Sequence, residues 1–160
     1  MKKIFVSTAI ALLLLIVLAS TSFAAPTMSA RQLLFKGTLH TVQTQQVVFP
    51  TLFVEGMGSG NATHLGLYTM SFQAVSNIPT QTGHSSVTLV GADGSSLFAE
   101  GSGRGTPTES PNIVSIVEMY TITGGTGRFA DATGNFIVER LLDRTTGVSS
   151  GTLLGTIVLP

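Results

Sequence analysis

Short runs of β-branched, aromatic and other apolar residues, separated by turn residues, are the feature of this chain that most restricts its fold. After residue 24, no window of 11 or more residues has apolar residues at helical spacing without an interrupting Gly or Pro. The pattern therefore predicts β-strands and no helix in this part of the chain. The eight predicted strands are Gln32–Gln43, Gln46–Glu55, Thr63–Val75, Ser85–Val90, Ser96–Gly101, Ile113–Ile122, Asn135–Leu142 and Thr152–Leu159.

Residues that favour turns occupy the breaks between these runs. They form the segments Gly56–Asn61, Asn77–Pro79, Ala92–Gly94, Gly105–Pro107 and Thr145–Gly147. Asp93-Gly94 predicts a tight type I′ hairpin, in which both central residues have positive φ. Eight strands that pair in sequence order can close into a barrel just wide enough for side chains or one small ligand. We predict an all-β fold, an eight-stranded antiparallel β-barrel, and the alternative is a two-sheet sandwich of the same strands.

The first 24 residues have the order of regions found in secretory signal peptides. Lys2 and Lys3 precede a strongly apolar run, and small residues lead up to a cleavage site after Ala24. The precursor is thus predicted to carry a signal helix in residues 1–24, followed by a single barrel domain in residues 25–160 that is secreted or periplasmic. The alternative is an uncleaved membrane anchor, but its uninterrupted apolar core is short for a span of about 20 residues.

Charge and cysteine content restrict the partners and the stabilising interactions of the exported part. Without Lys2 and Lys3, six basic and eight acidic residues leave a net charge of −2. No window forms a basic patch, which argues against nucleic acid and, after cleavage, against a membrane as partners. The chain has no cysteine, so the fold depends on its apolar core and its hydrogen-bond ladder.

Strand alternation places three residues with polar groups together as a candidate site. Glu118 and Tyr120 share one face of the sixth strand, and Arg140 lies beside apolar neighbours on the seventh. If these faces point into the lumen, a buried Glu–Arg pair with a tyrosine hydroxyl could bind the polar end of a ligand or transfer a proton. The alternative is an outward salt bridge that contributes little. His64 and Tyr68 on the third strand form a second candidate pair for the lumen.

Known catalytic and metal-binding patterns are absent from the sequence. The three histidines, His40, His64 and His84, are 24 and 20 residues apart, and no cysteine can join them in a local metal site. There is no GxSxG motif and no local pair of carboxylates. We therefore predict no metal site and no cofactor.

The most specific string of the exported part is the glycine-rich segment Thr123–Gly134. Its spacing lacks the third glycine of a dinucleotide-binding loop, and a strand rather than a helix is predicted to follow it. We interpret it as a structural motif of tight glycine bends around one inward aromatic side chain. Its members are Gly124, Gly125, Gly127, Phe129 and Gly134.

This segment, GGTGRFADATG, resembles the GGTGxFxxAxG signature of the dirigent proteins and the allene oxide cyclases. A second string, Gly58–Thr69, is similar to a segment of bacterial exported proteins with the same type of barrel. The resemblance implies an eight-stranded antiparallel barrel in which the motif leads into a late strand. Plant members guide phenoxy-radical coupling or cyclise an unstable epoxide, so the resemblance implies cyclase- or isomerase-like chemistry if the chain is an enzyme. No catalytic residue is carried over.

Three hypotheses for function follow. The favoured one is a non-enzymatic barrel that binds a small apolar or amphipathic ligand or serves as an interaction module. The second is an isomerase or lyase that controls a reactive intermediate inside a dry barrel. The third is a structural protein that forms homo-oligomers, since several strands are apolar on both faces. A cavity of about a few hundred Å³ with convergent polar groups would favour the first two, whereas a lumen filled by Tyr68, Met70, Phe72 and Phe129 would favour the third.

Overall fold

Backbone hydrogen bonds join each strand to the next in sequence and the eighth strand back to the first, which closes an antiparallel barrel. This computed structural model describes residues 30–160. The strands are β1 (Arg31–Val48), β2 (Thr51–Ala62), β3 (Gly66–Asn77), β4 (Thr82–Gly91), β5 (Ser96–Pro107), β6 (Ile113–Gly125), β7 (Thr133–Asp143) and β8 (Val148–Leu159), with one 3₁₀ turn, Gly127–Phe129, between β6 and β7. The predicted eight-stranded barrel is confirmed, and the sandwich alternative is wrong.

The predicted signal helix and the cleavage site after Ala24 lie outside the described residues. Within residues 30–160, no helix is long and apolar enough to cross a membrane.

Two glycine-rich segments that we interpreted as turns are parts of strands. Gly56–Asn61 lies within β2, and Gly105–Pro107 forms the end of β5. The physical reason is space inside the barrel. Gly60 lies opposite Tyr68 on β3, and a Cβ at Gly60 would be 2.5 Å from the Tyr68 hydroxyl oxygen. A glycine at such a position lets a large side chain of the neighbouring strand lie across it.

The predicted type I′ turn at Asp93-Gly94 is also wrong. Gly94 has positive φ, at 81°, but Asp93 does not. The Asp93 carboxylate instead accepts hydrogen bonds from the backbone N–H of Ser95 at 3.1 Å and from its hydroxyl at 3.0 Å. These bonds hold the pKa of Asp93 below its usual value.

The two ends of the barrel differ. At the closed end, the turns after β2, β4 and β6 cover a packed apolar core that includes the fully buried side chains of Phe35, Leu97, Phe129 and Ile157. The glycine-rich motif forms much of this end. Gly124, Gly127 and Gly134 all have positive φ, which turns the chain so that Phe129 enters the core. The open end carries the turns after β1, β3, β5 and β7.

Candidate functional site

A layer of polar side chains crosses the barrel interior between the two ends. Its centre is an ion pair in which Arg140 Nε donates to Glu118 Oε2 at 3.0 Å. Both side chains are at least nine-tenths buried. Arg140 Nη1 donates further hydrogen bonds to Gln43 Oε1 at 3.0 Å and to Ser149 Oγ at 3.1 Å. The strands β1, β6, β7 and β8 therefore all contribute to one network.

Hydrogen bonds extend this network to the remaining buried polar groups around it. Ser149 and Thr41 share a hydroxyl–hydroxyl bond of 2.6 Å. Ser85 donates to the Tyr120 hydroxyl at 2.8 Å and lies 3.5 Å from Glu118 Oε1. Among the described residues, no buried side-chain nitrogen or oxygen is without a hydrogen-bond partner. The layer thus meets the condition under which a buried ion pair is tolerated in a small core.

Glycines on the neighbouring strands make room for the ion pair. Gly103 on β5 is the register partner of Glu118, and Gly151 on β8 is the partner of Arg140. A Cβ at Gly103 would be 2.5 Å from Glu118 Cγ, and one at Gly151 would be 2.6 Å from Arg140 Cβ. The guanidinium carbon of Arg140 also lies 5.4 Å from the ring centroid of Phe72, a cation–π contact.

The two tyrosines of the chain lie on the apolar side of this layer. The Tyr68 hydroxyl donates to the carbonyl of Thr38 at 2.9 Å, and burial raises the pKa of Tyr68 to about 12. Tyr120 stacks on Phe136 with 5.0 Å between ring centroids. Burial, helped by the negative charge of Glu118, raises the pKa of Tyr120 well above its usual value. Both hydroxyls therefore stay protonated at neutral pH, and the proton of Tyr68 is already donated to Thr38.

These raised pKa values predict a loss of stability in alkali. The folded state binds the two protons more tightly than the unfolded state, so the contribution is complete below about pH 10 and declines as the pH rises toward 12 and above. In that interval, each tyrosine is expected to lower the free energy of unfolding by about 1.4 kcal/mol for every pH unit of increase. Because the chain has two tyrosines and no tryptophan, near-ultraviolet absorbance of tyrosinate reports both directly. A folded protein that forms tyrosinate at the same pH as the urea-unfolded chain would contradict the burial of these hydroxyls.

A cavity of about 450 Å³, hereafter the mouth cavity, opens at the open end of the barrel. Its floor is the polar layer, with Glu118, Arg140, Ser85 and Gln43 bordering it. Its walls are mixed: polar side chains that include Gln45, Ser76, Asn77 and Gln81 lie among the apolar side chains of Val47, Leu52, Val54, Ala74, Ile78, Val114, Ile116 and Leu142. On the other side of the layer, only about 20 Å³ remains free among Tyr68, Met70, Phe72, Tyr120 and their neighbours. The closed half of the barrel is therefore filled, and the open half has room for a small molecule.

Four of the five predicted lumen residues point inward. Glu118, Tyr120 and Arg140 form part of one network, and Tyr68 is buried nearby in the closed half. His64 does not join them. It is exposed in the turn before β3, with φ of 64°, because β3 begins at Gly66 rather than at Thr63. The predicted pair of His64 and Tyr68 is therefore not formed.

Four further members of the polar layer, Ser85, Gln43, Ser149 and Thr41, were not predicted from the sequence. Ser85 lies inward, two residues before the inward Val87 of β4, so strand alternation indicates its position. Gln43, Ser149 and Thr41 had no such signal, because their role depends on contacts with strands far away in sequence. Gln43 lies 97 residues from Arg140.

No part of the described chain suggests a metal centre. Within residues 30–160, no group of three or more His, Cys, Asp or Glu side chains is placed to hold a metal ion. His40 is exposed, and its Nδ1 is 2.9 Å from the Ser150 hydroxyl. His84 lies on the outer face of β4.

No protein-family model matches the sequence, and no curated protein matches it. Among solved structures, the fold is similar to that of the pterocarpan synthase dirigent protein GePTS1, with a TM-score of 0.55. The two chains are 15% identical, and the match covers 88% of this chain and 98% of the other. The chain therefore has a dirigent-like barrel fold, which agrees with the resemblance of its glycine motif.

Proposed function

We propose that this protein binds a small apolar or amphipathic molecule in the mouth cavity. The observation that carries the proposal is the contrast between the two halves of one barrel. The closed half is packed, whereas the open half keeps about 450 Å³ between walls of mixed apolar and polar side chains and a polar floor. The open half therefore has room for a small molecule, and the closed half does not.

The polar floor supports binding rather than simple packing. A buried ion pair is seldom more stabilising than an apolar replacement of the same volume, so its retention calls for another reason. Glu118 Oε2 is bonded to Arg140, but Oε1 has only the 3.5 Å contact with Ser85. This second oxygen can accept a hydrogen bond from a ligand that reaches the floor.

Blocking the cavity is the direct test. Ser76 lies on the inner face of β3 at the border of the cavity, and Ser71 lies on the outer face of the same strand. Ser76→Phe is expected to lower the affinity for the neutral fluorescent probe N-phenyl-1-naphthylamine by about tenfold or more, since the added ring occupies the ligand volume. Ser71→Phe, the matched control, is expected to leave the affinity unchanged.

The opposite pattern would overturn the proposal. Equal probe affinity in the Ser76→Phe variant and the original protein would place the probe elsewhere, and an original protein that binds no apolar probe would remove the binding function. Circular dichroism of each variant checks that the barrel still folds.

A second candidate function, isomerase or lyase activity on a reactive intermediate, is favoured by one observation. The Glu118 carboxylate borders the mouth cavity next to the protonated Tyr120 hydroxyl, and this arrangement could exchange a proton with a bound molecule. GePTS1 is described as a pterocarpan synthase, so the same fold carries an activity in another protein, although fold alone does not transfer chemistry.

Self-association is supported by a different surface. On the outer face, Met119 is the register partner of Ile137, and Ile137 is the partner of Leu154. These three exposed apolar residues form a continuous strip across β6, β7 and β8, with Met119 63% exposed. Native mass spectrometry of the protein purified from its own host separates the candidates, because it reports a retained ligand and the number of subunits in one measurement.

The predicted export of the chain belongs to the same proposal. A barrel without cysteine, secreted or periplasmic after cleavage of residues 1–24, would meet its ligand outside the cytoplasm. N-terminal sequencing of the protein recovered from its host checks this point, and an intact Met1 or an N-terminus other than Ala25 would contradict the predicted cleavage.

A further inference from the structure

We infer that the ligand of the mouth cavity is an amphipathic anion whose charged group lies at the rim, beside Arg144. This inference rests on the proposed binding function and adds the charge and the orientation of the ligand. It starts from the position of Arg144, which borders the cavity directly after the end of β7.

Arg144 is the first residue of the turn after β7. Val138, Arg140 and Leu142 of β7 point into the barrel, and Arg144, two residues beyond Leu142, borders the mouth cavity. Its backbone N–H donates to the carbonyl of Asn112 at 2.8 Å, which anchors the residue at the rim. The side chain therefore starts from the edge of the cavity rather than from the outer face.

The charge of Arg144 has no partner in the described part of the chain. Among residues 30–160, the two ion pairs are Arg128–Asp93 at the closed end and Arg140–Glu118 in the polar layer. Asp143 is adjacent in sequence, but it lies on the other face of β7, and its carboxylate accepts the backbone N–H of Thr145 at 2.8 Å. An exposed cation at a cavity rim that forms no ion pair with a described residue attracts an anion.

The polar floor of the cavity cannot bind the anionic group of the ligand. Glu118 and Arg140 neutralise each other there, and the more weakly bonded carboxylate oxygen, Glu118 Oε1, would repel an anion. Arg104 also borders the cavity, but it alternates with the inward Gly103 and Gly105, so its side chain lies on the outer face of β5. Of the arginines in residues 30–160 that border the cavity, Arg144 is thus the one available to the outer end of a ligand. An anionic group would point outward, with the apolar body inside.

Arg144 lies four residues after Arg140 and one residue beyond the end of β7, so floor and rim are at most about 13 Å apart along an extended chain. A molecule of two or three fused or linked rings, or a short acyl chain with a terminal acid, spans this distance. Both classes of molecule have an apolar body of about 10 Å and one anionic group at its end. This length matches the distance estimated from the strand rise.

Two fluorescent probes that differ only in a sulfonate test the inference. They are 8-anilinonaphthalene-1-sulfonate and the neutral N-phenyl-1-naphthylamine. Arg144→Gln is expected to lower the affinity for the anionic probe by about 5-fold to 10-fold, which is the effect of one partly solvated charge contact. The affinity for the neutral probe is expected to stay unchanged. Added salt is expected to lower the affinity of the original protein for the anionic probe and to have little effect on that of the variant.

The control is Arg31→Gln, which removes the same charge from an exposed position at the closed end. Ser76→Phe checks that the anionic probe occupies the mouth cavity rather than the outer apolar strip. If Arg144→Gln lowers the affinity for both probes equally, or does not lower the affinity for the anionic probe, the inference is overturned while the proposed function stays in place. Failure of both probes to bind the original protein would overturn the proposed function itself.

Discussion

Arg140→Met is expected to lower the free energy of unfolding by about 3–5 kcal/mol, because it leaves the Glu118 carboxylate buried without its cation. The variant also removes the donors to Gln43 Oε1 and Ser149 Oγ, so three buried acceptors lose a partner at once. Urea unfolding followed by circular dichroism measures the change. Arg104→Met, on the outer face of β5, is the matched control and is expected to change stability by less than about 0.5 kcal/mol.

A double variant separates the cost of the orphaned charge from the value of the pair. Removing both charges with Glu118→Leu and Arg140→Met is expected to recover about half or more of the stability lost in the single variant. A loss of less than about 1 kcal/mol in Arg140→Met would contradict the description of a buried and fully bonded pair. A double variant as unstable as the single one would show that the hydrogen bonds of the layer, rather than the unpaired charge, dominate the loss.

Phe129→Ala is expected to cost about 3–5 kcal/mol, since it removes a fully buried aromatic ring from the closed end. Phe129 enters the core from the 3₁₀ turn of the glycine motif, and the positive φ of Gly127 and Gly134 on either side fixes the turn that delivers it. The space left behind is enclosed by strands and cannot collapse easily, so the cost should be near the upper part of the range for such changes.

Phe49→Ala is the matched control for this prediction. Phe49 lies in the turn after β1 at the open end and is 75% exposed, so its removal is expected to change stability by less than about 0.5 kcal/mol. Equal effects of the two substitutions in thermal or urea unfolding would contradict the assignment of the motif to a packed closed end.

Strand alternation placed Glu118 and Tyr120 on one face of the sixth strand and Arg140 between Val138 and Leu142 on the seventh, and in the structure both faces point inward. The pattern within a strand carries that information locally. It does not carry the register between strands, which decides that Gly103 lies opposite Glu118 and Gly151 opposite Arg140. The sequence therefore indicated the central pair of the site but not the space that accommodates it.

The glycine-rich strand segments were predicted as turns because glycine is common in both settings. A glycine run such as Gly56–Asn61 is compatible with a turn, where positive φ is needed, and with a strand, where a missing side chain makes room for Tyr68. His64 shows the reverse error, because a residue that fits a strand pattern adopts positive φ in a turn. Gln43 and Ser149 could not be found at all, since their role arises only when β1 and β8 meet β7 across the closed barrel.

The proposed binding site is the mouth cavity and not the closed half or the outer surface. Methyl NMR of the protein during titration with N-phenyl-1-naphthylamine distinguishes these three locations. Saturable shifts are expected at Ala74 and Val114 in the mouth cavity, with no shifts at Leu97 and Ile157 in the closed end. Shifts confined to the outer strip at Leu154, or no saturable shift at any methyl group, would contradict it.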